Sequence, residues 1–328
     1  MNRLTLPGTS LYVSPLCLGG AFFGLNPPES ETLALLDHFS GAGGNFIDSA
    51  RIYSDWVPGE LRRSERILGD WMKKHGRRAE LVISTKGAHP FIDSLVIART
   101  SSVEITDDLD GSLRVLRTGY IDLYWLHRDN THLPVEHFID LLNSFVRAGK
   151  IRHLGASNWS VARMREANAY AHKSGQLGFV ANQPGWSLGC QHARPPQDPA
   201  LIRFDAASDA FHRETGLSAT PYSSQAGGFF TKLTLPADRR PADFEKNEFH
   251  TPINLETGRV VAELAARHRV SPNAIVLAYL WSARSYPVVP IIGARSIAHL
   301  EDSLAATSLT LTLEERRRLE QVSQSGLA

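Results

Sequence analysis

Leu81-Val82-Ile83-Ser84-Thr85-Lys86 is an apolar run that closes on a lysine. Phe46-Ile47-Asp48 closes on an aspartate, with Tyr53 five positions on, and Leu123-Tyr124-Trp125-Leu126-His127 closes on a histidine. An apolar run that ends on a polar residue reads as a buried parallel strand with its C-terminal end at a functional face. Each end residue also has an ordinary explanation. A strand-end lysine is usually solvated, a lone histidine is more often structural than catalytic, and Asp-Ser-Ala can open a turn or a helix. Three such runs in succession, separated by helix-like stretches, aim their end residues into one mouth if the strands close into a barrel. A phenol has a reference pKa of about 10, so it needs help to give up a proton near neutrality. An ammonium beside it stabilises the phenolate, and a carboxylate holds that ammonium in place.

Outward from these runs, strands are expected at 16–18, 46–48, 81–86, 123–127, 154–157, 180–183, 217–222 and 288–292. Amphipathic helical stretches separate them at 31–40, 63–75, 106–116, 135–148, 161–174, 199–215 and 257–268. Strict alternation of strand and helix argues for a parallel α/β sheet. Eight strands suit a (β/α)8 barrel, which takes about 250 residues. The 328 residues are therefore read as one domain, 1–328, with extended loops. Leu4-Thr5-Leu6 and Leu11-Tyr12-Val13, joined by Pro7-Gly8-Thr9-Ser10, read as a small hairpin. Two insertions, 54–63 and 229–252, follow strand ends and so belong to the mouth. The second is rich in Pro, Phe and charge, and its bland alternative is a mobile surface loop.

Composition excludes several classes of function. Hydrophobic residues make up 42% and charged residues 21%, as in a folded soluble protein. A net charge of +1 gives no electrostatic case for nucleic acid or an anionic membrane. No apolar run approaches the roughly 20 residues needed to span a bilayer. Met1-Asn2-Arg3-Leu4-Thr5 lacks the apolar core of a secretory signal. Two cysteines, Cys17 and Cys190, make no disulfide framework, and a reducing cytoplasm is the expected location.

Read in order, the motifs resemble those of the aldo-keto reductase family nearly end to end. They are Asn45-Phe46-Ile47-Asp48-Ser49-Ala50 with Tyr53, Ile83-Ser84-Thr85-Lys86, the run from Asp108-Leu109-Asp110-Gly111-Ser112-Leu113 through Leu126-His127, Gly149-Lys150-Ile151-Arg152, Gly155-Ala156-Ser157-Asn158, Asn182-Gln183, Pro221-Tyr222-Ser223 and Ile291-Ile292-Gly293-Ala294-Arg295. The resemblance implies a TIM barrel whose N-terminal hairpin closes the bottom, binding a nicotinamide cofactor without a Rossmann domain. It implies NADPH-dependent reduction of an aldehyde or ketone. Tyr53 would be the general acid, Lys86 would tune it, Asp48 would hold Lys86, and His127 would donate a second hydrogen bond.

The same resemblance implies the cofactor contacts. Ser157, Asn158 and Gln183 match residues that hold the nicotinamide carboxamide, and Tyr222 matches the ring on which the nicotinamide stacks. Ser223, Ser224, Gln225 and Gly227 match the loop around the pyrophosphate, and an ordinary polar turn is the alternative for all but Ser223. Gly293 and Arg295 match the adenosine-phosphate segment, where a guanidinium suits a 2′-phosphate. His299 stands where the family commonly has Gln, and Ser303 where an Asn often contacts adenine, which leaves NAD open beside NADP.

For substrate, Trp56, Asp129, Trp159 and Trp186 follow strand ends, and aromatic faces with polar neighbours suit a sugar, keto-sugar or polyol. The alternative is that Arg128 and Asp129 pair with each other or with loop residues and that the tryptophans simply pack. No metal is required for this chemistry. His127-Arg128-Asp129 spells a kinase tripeptide but lacks the accompanying Gly-rich and Asp-Phe-Gly motifs. Gly19-Gly20 with Gly24 lacks the dinucleotide spacing. Some proteins of this appearance serve as cofactor-sensing subunits of larger assemblies with little turnover, and a homo-oligomer is also open.

Overall fold

The structure, a computed structural model, describes residues 1–190, 192–196 and 198–327. Its first two strands, β1 (Leu4–Thr5) and β2 (Tyr12–Val13), pair antiparallel. Eight more strands are parallel: β3 (Cys17–Gly19), β4 (Phe46–Asp48), β5 (Val82–Gly87), β6 (Ile121–Leu126), β7 (Ile151–Ser157), β8 (Phe179–Gln183), β9 (Ser218–Ala219) and β10 (Ile291–Ile292). They bond in the order β10-β3-β4-β5-β6-β7-β8-β9. The two ends of that order meet, because Ala219 N donates to Pro287 O (3.0 Å), Val289 N to Ala219 O (2.8 Å) and Ile291 N to Pro221 O (2.9 Å). The result is a (β/α)8 barrel.

The strands are mostly apolar at their starts and almost wholly buried, because both faces are covered. Successive side chains point to opposite faces, so Val82, Leu123 and Trp125 fill the barrel interior. Ile83, Tyr124 and Leu126 pack outward beneath the helices. Leu6, Leu11 and Val13 of the hairpin join the interior cluster of Cys17, Phe46, Ala181 and Val289. Asn45 locks the hairpin in place, accepting from Ser14 N (2.7 Å) and donating to Tyr12 O (2.9 Å). Gly155 leaves room for the Trp125 ring, with which a Cβ there would collide.

The helices are α1 (Glu29–Gly41), α2 (Arg63–His75), α3 (Ser102–Val115), α4 (Val135–Arg147), α5 (Val161–Lys173), α6 (Ala206–Thr215), α7 (Phe229–Leu233), α8 (Pro252–His268), α9 (Pro272–Trp281), α10 (Ile297–Ala305) and α11 (Leu313–Ser323). The expected helix over 199–215 begins only at Ala206, where the Asp205 side chain accepts from Ser208 N (2.8 Å) and caps it. The strands expected over 217–222 and 288–292 carry ladders of two residues each. Pro221, Pro287 and Pro290 bring no N–H to lengthen them. The insertion over 229–252 is anchored by buried Phe229, Phe230, Phe244 and Phe249, with Phe229 and Phe244 stacked at 5.2 Å. The insertion is thus packed onto the barrel by its phenylalanines.

Candidate active site

All the strand-end residues singled out above open on one end of the barrel. Asp48 ends β4, Lys86 lies in the last turn of pleat of β5, and His127 follows β6. The Asp48 carboxylate accepts from Ser84 Oγ (2.6 Å) and Gln183 Nε2 (3.3 Å) and forms an ion pair with Lys86. The same Lys86 ammonium donates to Ser49 O (2.7 Å) and lies 4.6 Å from the centre of the Tyr53 ring. The Tyr53 ring is partly exposed and stands edge-on to His127, with centres 6.0 Å apart. Four residues, from the ends of three strands and the loop after the first, therefore share one small volume.

Tyr53 is not on a strand, and its position comes from a buried charge network beneath its loop. Arg51 pairs with Asp55 (2.9 Å) and Asp108 (3.4 Å), while Asp55 accepts from Arg62 N (2.8 Å). Arg62 pairs with the fully buried Glu65 (3.3 Å), which also accepts from Thr85 Oγ1 (2.7 Å). Charges buried this way are tolerated because each has partners. The insertion over 54–63 is thereby tied to α2, α3 and β5.

The electrostatics refine the expected roles. Burial pushes the Tyr53 phenol above 10, and the Lys86 charge pulls against it without reversing it. The phenol therefore keeps its proton and is poised as an acid. Burial acts to lower Lys86, but the Asp48 carboxylate and the Tyr53 phenol outweigh it and hold the ammonium above its usual range. His127 is held well below the usual imidazole range by burial, with His89, Arg128 and Lys86 adding to the effect. It is a neutral ring.

Sequence reasoning missed one neighbour of this group, His89, and the pairing of Arg128 with a loop residue, held open above, is what the structure has. His89 lies three residues past Lys86, with its ring 4.6 Å from that of His127. Arg128 donates to His127 O (2.7 Å) and pairs with Asp198 (2.6 Å), fastening the 198–205 segment over the mouth. His89 follows no recognisable motif.

The residues expected to hold a nicotinamide lie beside the group. Ser157 Oγ donates to Gln183 O (2.9 Å) and accepts from Asn158 Nδ2 (3.1 Å), and Asn158 Oδ1 accepts from Tyr222 Oη (2.9 Å). Farther along, Ser224 Oγ donates to Ile291 O (2.5 Å), and Gln225 bridges Gly293 N (2.8 Å) and Ser303 Oγ (3.1 Å). Ser223, Gly227 and Gly228 take left-handed conformations that curl this turn. Exposed Arg295 lies in the loop leading into α10, and its charge acts with burial to lower Lys232 of α7. Amides, a phenol ring, a curled turn and two neighbouring cations, Lys232 with Asp243 also near it, form a donor set that fits a phosphorylated dinucleotide. His299 is exposed, whereas Ser303 is fully buried and spends its hydroxyl on Gln225, Asn273 (3.2 Å) and His299 O (3.0 Å).

The expected aromatic substrate wall does not assemble. Trp56 does sit on the rim, 39% exposed, edge-on to Tyr53 (6.3 Å) and Phe22 (6.0 Å). Trp159 is buried between Phe138 and Phe179 in the outer layer. Trp186 is buried, stacked on Phe204 at 3.9 Å. Asp129 is held by Arg163 (3.0 Å) and caps Asn130 N (2.8 Å). Packing and ion pairing occupy these three. Among the described residues no group of three or more His, Cys, Asp or Glu could hold a metal ion, and no helix is long and apolar enough to cross a membrane.

Comparison with known proteins bears on this geometry. The sequence model described as "Aldo/keto reductase family" matches residues 15–324. The chain is 30% identical to the aldo-keto reductase ausK of Aspergillus calidoustus, over 99% of this chain and 82% of that protein. It is 28% identical to an aryl-alcohol dehydrogenase [NADP(+)] of Phanerodontia chrysosporium, over 97% and 84%. It is 29% identical to norsolorinic acid reductase B of Aspergillus parasiticus, over 97% and 83%. The solved structure of a thermostable aldo-keto reductase, Tm1743, superposes with a TM-score of 0.73 over 98% of this chain and all of that one, at 24% identity.

Proposed function

The chain belongs to the aldo/keto reductase family, and on that premise we propose that it reduces an aldehyde or ketone to the alcohol with NADPH. The observation that carries this reading is the Lys86 ammonium, paired with Asp48 on one side and 4.6 Å from the Tyr53 ring on the other. A bound reduced nicotinamide would supply the hydride. The residues would do the rest. Negative charge growing on the carbonyl oxygen is met by the Tyr53 proton, transferred from a phenol that burial keeps protonated. Lys86 lowers the cost of the phenolate left behind, and Asp48 keeps Lys86 charged and fixed. Neutral His127 offers the same oxygen a hydrogen bond in a site largely closed to water.

Ser157, Asn158 and Gln183 would hold the carboxamide, Tyr222 would lie under the ring, and the 223–227 turn would wrap the pyrophosphate. Lys232 and Arg295 would face the 2′-phosphate. The relatives' printed activities, on an aryl alcohol and on norsolorinic acid, fit the Trp56 rim better than a purely polar sugar site.

Consumption of NADPH with a panel of aryl aldehydes, hydroxy ketones and sugars tests the reading, with Tyr53→Phe as the control. Turnover in the unaltered chain should fall by about 10²–10⁴-fold in the variant, while fluorescence titration reports unchanged cofactor binding. Tight cofactor binding with negligible turnover on every carbonyl would instead make the chain a cofactor-sensing subunit.

A further inference from the structure

We propose that His89 is a specificity-determining residue, accepting a hydrogen bond from a substrate hydroxyl on the carbon next to the reacting carbonyl. The favoured substrates would then be α-hydroxy aldehydes and ketones. The inference rests on the carbonyl-reduction reading above and goes further by naming what the second imidazole recognises.

His89 is only 7% exposed, and its ring stands 4.6 Å from that of His127 at an interplanar angle of 60°. Its Nδ1 lies 2.6 Å from Pro90 O. A carbonyl can only accept, so Nδ1 carries the proton. Burial and the charge of Arg128 push this imidazole down to about 4, so at working pH the ring is neutral and Nε2 is a bare acceptor. No hydrogen bond engages Nε2 among the described residues, and it is not sealed from solvent.

The His127 ring has the opposite polarity. Its Nδ1 is buried with no partner among the described residues. A buried N–H without an acceptor is the costlier arrangement, so the single proton of the neutral ring belongs on Nε2. The two adjacent rings therefore present one donor and one acceptor. A carbonyl oxygen takes the donor, and a neighbouring hydroxyl supplies the acceptor. A substrate without that hydroxyl leaves His89 Nε2 desolvated and unpaired, the situation in which polar sites discriminate most strongly.

The backbone holds His89 for this purpose. Ala88 takes a left-handed conformation (φ 62°), and its N–H donates to Asp108 Oδ2 (3.1 Å). Arg99 donates to His89 O (3.3 Å) while holding Asp108 through two bonds of 3.1 and 3.0 Å. A conformation that a Cβ disfavours, kept by a buried ion pair, is how a fold presets one side chain.

The test compares kcat/KM for 2-hydroxypropanal and the isosteric 2-methylpropanal, with NADPH, in the unaltered chain, His89→Phe and His89→Gln. The preference for the hydroxy aldehyde should fall about three- to tenfold in His89→Phe, with the constants for 2-methylpropanal little changed. His89→Gln, whose amide oxygen still accepts, should keep part of the preference. His89→Leu carries the same comparison if the Phe variant does not fold. An equal ratio in the unaltered chain and the Phe or Leu variant overturns the assignment. Failure of the unaltered chain to reduce either aldehyde or any other carbonyl overturns the underlying reading, and that outcome is distinct.

Discussion

Lys86 couples two buried groups of opposite need. Without its ammonium Asp48 would be an unpaired buried carboxylate, a loss of about 3–5 kcal/mol. Without it Tyr53 would lose the strongest charge that opposes burial, with only the weaker effect of Arg128 left. Lys86→Met should therefore lower the melting temperature and move the alkaline limb of any residual activity to higher pH. An unmoved limb in an active variant would uncouple the two residues. A second pH effect belongs to His89. Its folded value of about 4 lies below the unfolded value of roughly 6.5, so the unfolded chain binds more protons between them. The penalty is absent above pH 6.5 and grows as pH falls, reaching on the order of 3 kcal/mol near pH 4. Thermal midpoints at pH 7 and 5 should thus fall less in His89→Phe than in the unaltered chain. Of the site, the residues at strand ends were legible because an apolar run announces where its polar end emerges. His89 was not, because its relevance depends on a left-handed turn at Ala88 that no residue type signals.

At the scale of elements, α7 and the loop leading into α10 bring Lys232 and Arg295 near each other although 62 residues lie between them in the chain. Two neighbouring cations with only Asp243 acting on one of them favour an anion between them. Arg295→Ala should weaken NADPH by roughly ten- to a hundredfold, the size of a charge-assisted contact, and leave NADH nearly unchanged. Dissociation constants for both cofactors decide this, and equal weakening would make Arg295 a support of the adenosine pocket. The helices that sequence periodicity located, such as α2 at Arg63–His75, have one polar and one buried face. Periodicity was silent on α9, which is buried on every side and has no polar face to mark its turns. Trp159 was misplaced for a different reason. Asn158 is left-handed (φ 58°), and the residue after such a reversal leaves the strand's direction. Trp159 accordingly packs against Phe138 and Phe179.

For the whole molecule, the eight-strand barrel was legible because most strands begin as apolar runs and every gap is long enough for a crossover helix. The packed state of the 229–252 insertion was not, since its phenylalanines find partners on α8 and α9 only after the barrel exists. The ring is closed only through residues late in the sequence, by Cys17 N to Pro290 O (2.9 Å) and Ile291 N to Pro221 O (2.9 Å). That closure has a consequence during synthesis. A ribosome adds about 5–20 residues per second, so β3 waits roughly tens of seconds for β10 to emerge. Through that interval the nascent polypeptide carries a bare sheet margin that any passing strand could pair with. Tyr53, Lys86 and His127 have all emerged long before, yet the wall around them is incomplete. Activity should therefore appear late and abruptly during translation, and a ribosome stalled before residue 291 would display an aggregation-prone chain.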